Sequence, residues 1–187
     1  MFDQVADTTP VAVQAEVTLR TNFFAARDVL THFLSQIIFN STGRVVNVSS
    51  FVSACTLNKC SPVLQQRFRS DDITEDELVG LMQRFVDKAK KGEHKQDGWP
   101  EMPYGVSKLG LTTLSMILAR CLSKERPHDG ILLNACCPGW VRTDMAGQKA
   151  AKSPDEGAVT PAYLALLPPE TTEPHGKFVS DKKVQSW

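Results

Sequence analysis

A chain of 187 residues with 42% hydrophobic content has the length of one domain with a buried core and is too apolar for a disordered segment. Lys+Arg and Asp+Glu each total 21, so there is no net field to recruit nucleic acid or an anionic membrane. The longest apolar runs fall short of the roughly 20 residues that span a bilayer, and no basic region precedes an apolar run at the N-terminus. The expectation is a cytoplasmic protein with neither membrane nor nucleic acid as a partner.

In chain order, Val13, Val17, Phe23, Phe24, Leu30, Phe33, Leu34 and Ile37 recur at helical spacing, and this predicts one long amphipathic helix from Val11 to about Ile37, entered near Pro10. Ser41-Thr42-Gly43 reads as a turn. Arg44 to Val48, a β-branched run, reads as a buried parallel strand. Between about residues 59 and 100 lies a polar interval expected to be a helical insertion, because Thr74 and Glu77 have capping-box spacing before Leu78, Leu81, Met82, Phe85 and Val86. The lysine-rich stretch from Lys88 to Lys95 reads as a solvated helix end. A nucleic-acid reading of it conflicts with the zero net charge.

A helix is predicted from Tyr104 to about Ser123, then a second buried strand over Ile131 to Ala135, stopped by Pro138-Gly139. Ser153-Pro154-Asp155-Glu156 marks a helix start, with its end near Leu167 before Pro168-Pro169. Gly176 to Ser180 is expected to form a last strand. The alternation of helices and strands argues for an α/β sheet layered by helices. Five cysteines, Cys55, Cys60, Cys121, Cys136 and Cys137, have no paired spacing and no histidine cluster beside them, so free thiols and no metal are expected. Cys136-Cys137 ends an apolar run, and its position leaves open core thiols or a place on a site wall.

Chemistry concentrates at three places. Tyr104 and Lys108 are four residues apart and share a helix face, where an ammonium favours the phenolate of a tyrosine whose ordinary pKa is about 10. Ser49-Ser50 ends the first strand and Pro138 to Thr143 follows the second, and ligand chemistry in parallel sheets gathers at such strand ends. No G-x-G-x-x-G turn occurs anywhere in the chain.

Asn47-Val-Ser-Ser50, Tyr104-x-x-x-Lys108 and Pro138-Gly-x-Val-x-Thr143 together resemble the signature of the short-chain dehydrogenase/reductases. Asn134 to Met145, Glu77 to Met82 and Tyr163 to Pro169 are similar to the monomeric, cytosolic NADPH-dependent carbonyl reductases. The resemblance implies a single partial domain over residues 1–187. Its fold would be the C-terminal part of a Rossmann-like doubly wound parallel sheet, lacking the first strands and the glycine-rich turn.

It also implies a site. Tyr104 would be the general acid, Ser50 would hold the substrate carbonyl, and Lys108 would lower the tyrosine pKa and bind the nicotinamide ribose. Asn22 would order a water relay behind that lysine. Pro138, Gly139, Val141 and Thr143 would hold the nicotinamide, while Trp140 and Cys137 would face the substrate, the thiol in a place where carbonyl reductases meet glutathione conjugates. The implied function is NADPH-dependent reduction of ketones, aldehydes and quinones by a monomer. Impaired activity is expected for want of the pyrophosphate-binding turn. The alternative is a non-catalytic fragment that docks on another polypeptide through an open sheet edge.

Overall fold

The computed structural model describes residues 8–37 and 43–187, so the turn expected at Ser41-Thr42-Gly43 falls largely outside the described residues. A four-stranded sheet runs in the order β1-β2-β3-β4. Strands β1 (Arg44–Val48), β2 (Leu132–Cys137) and β3 (Phe178–Ser180) are parallel, and β4 (Lys183–Val184) returns antiparallel to β3. The α/β class and the parallel-dominated sheet match the sequence expectation. Strand β2 continues two residues past Ala135, since Cys136 and Cys137 keep the ladder with β1 and β3.

Both faces of β2 are covered, which is why its six residues are all buried and carry no polar alternation apart from Asn134. Successive side chains point to opposite faces. Leu133, Ala135 and Cys137 meet the clusters that include Met116, Ala119 and Leu122 of helix α6 (Pro103–Glu125), while Cys136 meets Leu164 of helix α7 (Pro154–Ala165). Helix α7 starts where expected: the Ser153 hydroxyl accepts from Glu156 N, and the Glu156 carboxylate accepts from Ser153 N.

The expected first helix is divided. Helices α1 (Val11–Leu19) and α2 (Ala25–Leu34) are joined by a π turn over Arg20–Phe24, and Ala15, Leu19, Phe23 and Leu30 face the core. One extra residue in the π turn re-phases the apolar stripe, a feature that spacing alone does not reveal. Helices α3 (Val52–Lys59), α4 (Pro62–Phe68) and α5 (Glu75–Lys90) follow β1. Helix α3 shows no apolar period in the sequence because its buried face is Ser53, Thr56 and Leu57. It lies so close to α6 that a Cβ at Gly105 would stand 2.0 Å from Thr56 Oγ1.

Helix α6 has 23 residues and is long and apolar enough to cross a membrane by length and composition, contrary to the expectation from apolar runs; 72% of its most apolar window is nevertheless buried in the fold, as in a core helix. Around it, Phe68, Phe85 and Trp99 form an edge-packed aromatic cluster.

Asp97 caps this cluster. Burial works against its charge, but hydrogen bonds from Arg84 and from Trp99 Nε1 outweigh that and hold its pKa below the ordinary carboxylate value. A group whose folded pKa is depressed stabilises the fold above its unfolded value, here 3.8, and the benefit is lost as pH falls through the lower folded value. Thermal unfolding followed across acidic pH is therefore expected to show a melting temperature that declines below that value, with a shallower decline in Asp97→Asn.

Candidate active site

The three stretches singled out in the sequence meet at the carboxyl ends of β1 and β2. Pro103 occupies the first turn of α6, where a missing N–H costs nothing, and so starts the helix one residue before Tyr104. Tyr104, 37% exposed, stands beside Ser50, whose hydroxyl works to lower the pKa of the phenol. Lys108 lies one turn further along, with Nζ 5.8 Å from the Tyr104 ring centroid. Ser50 has a second duty, because its hydroxyl accepts from Val52 N and its carbonyl from Ser53, which starts α3. Turn capping and site placement are both true of this serine.

Polar ties lock β1 onto α6. Ser49 donates to the Lys108 carbonyl at 3.1 Å and shares a 2.6 Å contact with Thr112 Oγ1, and Asn47 Nδ2 donates to Ser115 Oγ at 2.8 Å. Asn22 sits in the π turn, and its Nδ2 donates to Ser107 Oγ at 3.1 Å; Ser107 in turn donates to the Tyr104 carbonyl at 2.7 Å. The Asn22 side-chain amide is thus linked through Ser107 to the backbone of Tyr104. Ser107 had no signal of its own in the sequence, since a serine in mid-helix ordinarily bonds only its own preceding turn.

Electrostatics also depart from expectation. Burial raises the Tyr104 pKa, the Ser50 hydrogen bond lowers it less, and the Cys137 thiol adds to the rise. Burial lowers the Lys108 pKa, partly opposed by Cys136. The Lys108 ammonium donates to the Val48 carbonyl at 2.9 Å. Burial pushes the Cys136 thiol up to about 12. Cys136 turns toward α7, whereas Cys137 lies on the α6 face and its Sγ accepts from Gly139 N at 3.3 Å.

The loop after β2 turns at Gly139, whose φ of +90° suits only glycine. A Cβ there would stand 2.9 Å from Lys152 Nζ. Lys152 Nζ donates to the Pro138 carbonyl at 3.5 Å and to Asp181 Oδ1 at 2.6 Å, and its backbone N–H donates to the half-buried Trp140. Val141 bridges to Lys152 and packs over Gly157, and the Thr143 hydroxyl donates to the Val141 carbonyl at 3.4 Å. Lys152 is the neighbour that sequence reasoning missed, since it reads as a loop lysine 14 residues from Pro138. A cavity of about 360 Å³ elsewhere is lined by Phe68, Ile73, Met116, Phe178 and Trp187 and shares none of these residues.

No family model matches the chain. It is 62% identical to Carbonyl reductase (NADPH) 1 of Homo sapiens over 184 residues, 98% of this chain and 66% of that protein, with the same figures for the Rattus norvegicus protein. The Sus scrofa protein is 56% identical over 98% of this chain and 63% of its own length. The chain therefore spans just under two thirds of the length of these relatives. Among solved structures, salutaridine reductase from Papaver somniferum has a TM-score of 0.74 and 26% identity over 89% of this chain and 54% of its own. Menthone neomenthol reductase from Mentha piperita has a TM-score of 0.67 and 25% identity over 92% of this chain and 52% of its own. With the Ser50, Tyr104 and Lys108 constellation on a parallel sheet of that shape, the chain belongs to the short-chain dehydrogenase/reductase family, among the carbonyl reductases.

Proposed function

We propose that this chain carries the proton-donating site of an NADPH-dependent reductase of ketones, aldehydes and quinones. The observation that supports the reading is the Tyr104 phenol, beside the Ser50 hydroxyl at the carboxyl ends of parallel strands with Lys108 one turn away. A phenol raised above its ordinary pKa stays protonated at neutral pH, as a donor to a carbonyl oxygen must. Tyr104 gives its proton to that oxygen as negative charge develops on it, and Ser50 donates a second hydrogen bond that fixes the oxygen beside the phenol. NADPH, when bound, supplies the hydride. Lys108 and the loop residues Pro138, Gly139, Val141 and Thr143 would hold its nicotinamide end, and Asn22 acts through Ser107 by setting the height of the Tyr104 turn.

These residues fit the nicotinamide end alone. The pyrophosphate ordinarily lies on a glycine-rich turn at a helix N-terminus, and the chain contains no such G-x-G-x-x-G turn. Affinity for NADPH, and with it turnover by the 187-residue chain, is therefore expected to be weak. Cys137, on the site face of β2, would meet a glutathione conjugate. A cytoplasmic monomer is the state we assign, on the zero net charge and on the helical insertion, whose helix α5 packs on α6. Docking onto another polypeptide without catalysis is the second reading, favoured by the place of β1 as an outer strand of the sheet among the described residues.

Oxidation of NADPH by the purified chain in the presence of menadione is the test. Saturable turnover that drops in Ser50→Ala supports the catalytic reading. A folded chain that neither binds NADPH nor reduces menadione rejects it and leaves docking.

A further inference from the structure

The cavity of about 360 Å³ that shares no residue with the candidate active site lies where three parts of the fold meet. Phe68 closes α4, Met116 belongs to α6, and Phe178 opens β3. After β4 the chain folds back over β3, for Gln185 N donates to the Phe178 carbonyl at 2.8 Å. That return lays Trp187 beside Phe178, with ring centroids 6.2 Å apart and ring planes at 62°. Phe68 and Phe178 are buried and Trp187 packs against the main core cluster, so the aromatic walls are held by the core. The volume falls in the range of small-molecule sites, roughly 300–1,000 Å³.

One polar group in these walls is unpaired. The Trp187 indole Nε1–H is buried, yet nothing among the described residues accepts from it. An indole nitrogen is a donor only, and a buried one ordinarily finds an acceptor. Trp99 shows the ordinary case in this same fold, since its Nε1 donates to Asp97 Oδ2 at 3.0 Å. Charge indicates which acceptor suits the cavity. Two exposed cations, Arg69 and Lys177, line it against a single acidic side chain, Asp71. The Arg69 guanidinium is held by donation to Gln65 Oε1 at 2.9 Å and to Asn58 Oδ1 at 2.7 Å, both neutral amides that leave its charge unpaired. The Lys177 ammonium has no hydrogen-bond or ion-pair partner among the described residues.

We infer that this cavity is a second small-molecule site, for an aromatic monocarboxylate whose ring lies against Phe68, Phe178 and Trp187. Its carboxylate accepts from the Trp187 indole N–H in the field of Arg69 and Lys177. The inference does not rest on the catalytic reading, because no residue of the cavity belongs to the site around Tyr104.

The probe is 1-naphthylacetate, added to the 187-residue chain without NADPH or carbonyl compound. Proton–nitrogen correlation spectra resolve the indole signals of Trp99, Trp140 and Trp187, and Trp187→Phe identifies the last by its loss. Saturable binding is expected to move the Trp187 signal downfield and to leave that of Trp140, at the candidate active site, in place. Trp187→Phe keeps an aromatic wall and removes the donor, and calorimetry is expected to show binding roughly tenfold weaker, the value of one hydrogen bond to a charged group. Lys177→Gln changes an exposed side chain, so its roughly two- to fivefold loss of affinity is independent of any effect of Trp187→Phe on folding, which melting curves report. The neutral 1-naphthylacetamide is expected to bind roughly fivefold more weakly than the acid. No saturation at millimolar probe, or a shift of Trp140 in place of Trp187, overturns the site. Equal affinity for acid and amide overturns the carboxylate class, and full affinity in Trp187→Phe overturns the indole as its donor.

Discussion

The Tyr104→Phe variant is expected to reduce menadione roughly 10² to 10⁴-fold more slowly than the parent chain, the range that a positioned general acid contributes. The change removes one oxygen and keeps the ring, so the packing of the first turn of α6 is retained and folding should be unaffected. Three features favour the phenol as the proton source in the proposed reaction. It lies beside the Ser50 hydroxyl, it stands in the first turn of a helix fixed to β1 by Ser49 and Asn47, and burial raises its pKa. The loss should appear in kcat more than in KM, because the proton is transferred only as the transition state forms. Equal turnover by parent and variant would place the chemistry elsewhere. The assay is NADPH oxidation at saturating quinone, with unfolding curves of both proteins to show equal stability.

Trp99→Ala is expected to lower unfolding free energy by about 3–5 kcal/mol, a large share of the roughly 5–15 kcal/mol that holds a domain together. Trp99 is 2% exposed, with its ring centroid 5.4 Å from that of Phe85 and 5.9 Å from that of Phe68. Its Nε1–H donates to Asp97 Oδ2 at 3.0 Å, so alanine leaves both a cavity and a carboxylate short of one donor. Trp99→Phe keeps much of the ring volume and should lose mainly the hydrogen bond, about 0.5–3 kcal/mol. Urea unfolding followed by circular dichroism separates the two. A loss below about 1 kcal/mol in the alanine variant would show that the aromatic cluster between α4 and α5 unfolds independently of the sheet, against the usual cost of an aromatic-to-alanine change.

Much of this architecture was legible without coordinates. Arg44 to Val48, the capping signals at Thr74 and Ser153, and the apolar period behind Thr74 each reflect interactions within a few residues of one another. Hydrogen-bonding chemistry and spacing therefore determine them locally. The order of Asn47-Val-Ser-Ser50, Tyr104, Lys108 and Pro138 to Thr143 was enough to indicate a site, because strand ends and a shared helix face follow from periodicity alone.

Tertiary structure decided what each of those groups touches. The π turn that carries Asn22 packs on α6, and Asn22 meets Ser107, 85 residues away. Helix α3 forms from a sequence with no apolar stripe because Gly105 lets it lie against α6. The sequence placed Lys108 beside Tyr104, one turn away, but its ammonium bonds the Val48 carbonyl, 60 residues distant, and burial raises the pKa of Tyr104. A residue's type and its neighbours along the chain determine its intrinsic chemistry and local geometry. Its pKa, its hydrogen-bond partner and the openness of its strand edge depend on atoms brought in from elsewhere in the chain, and only the fold brings them.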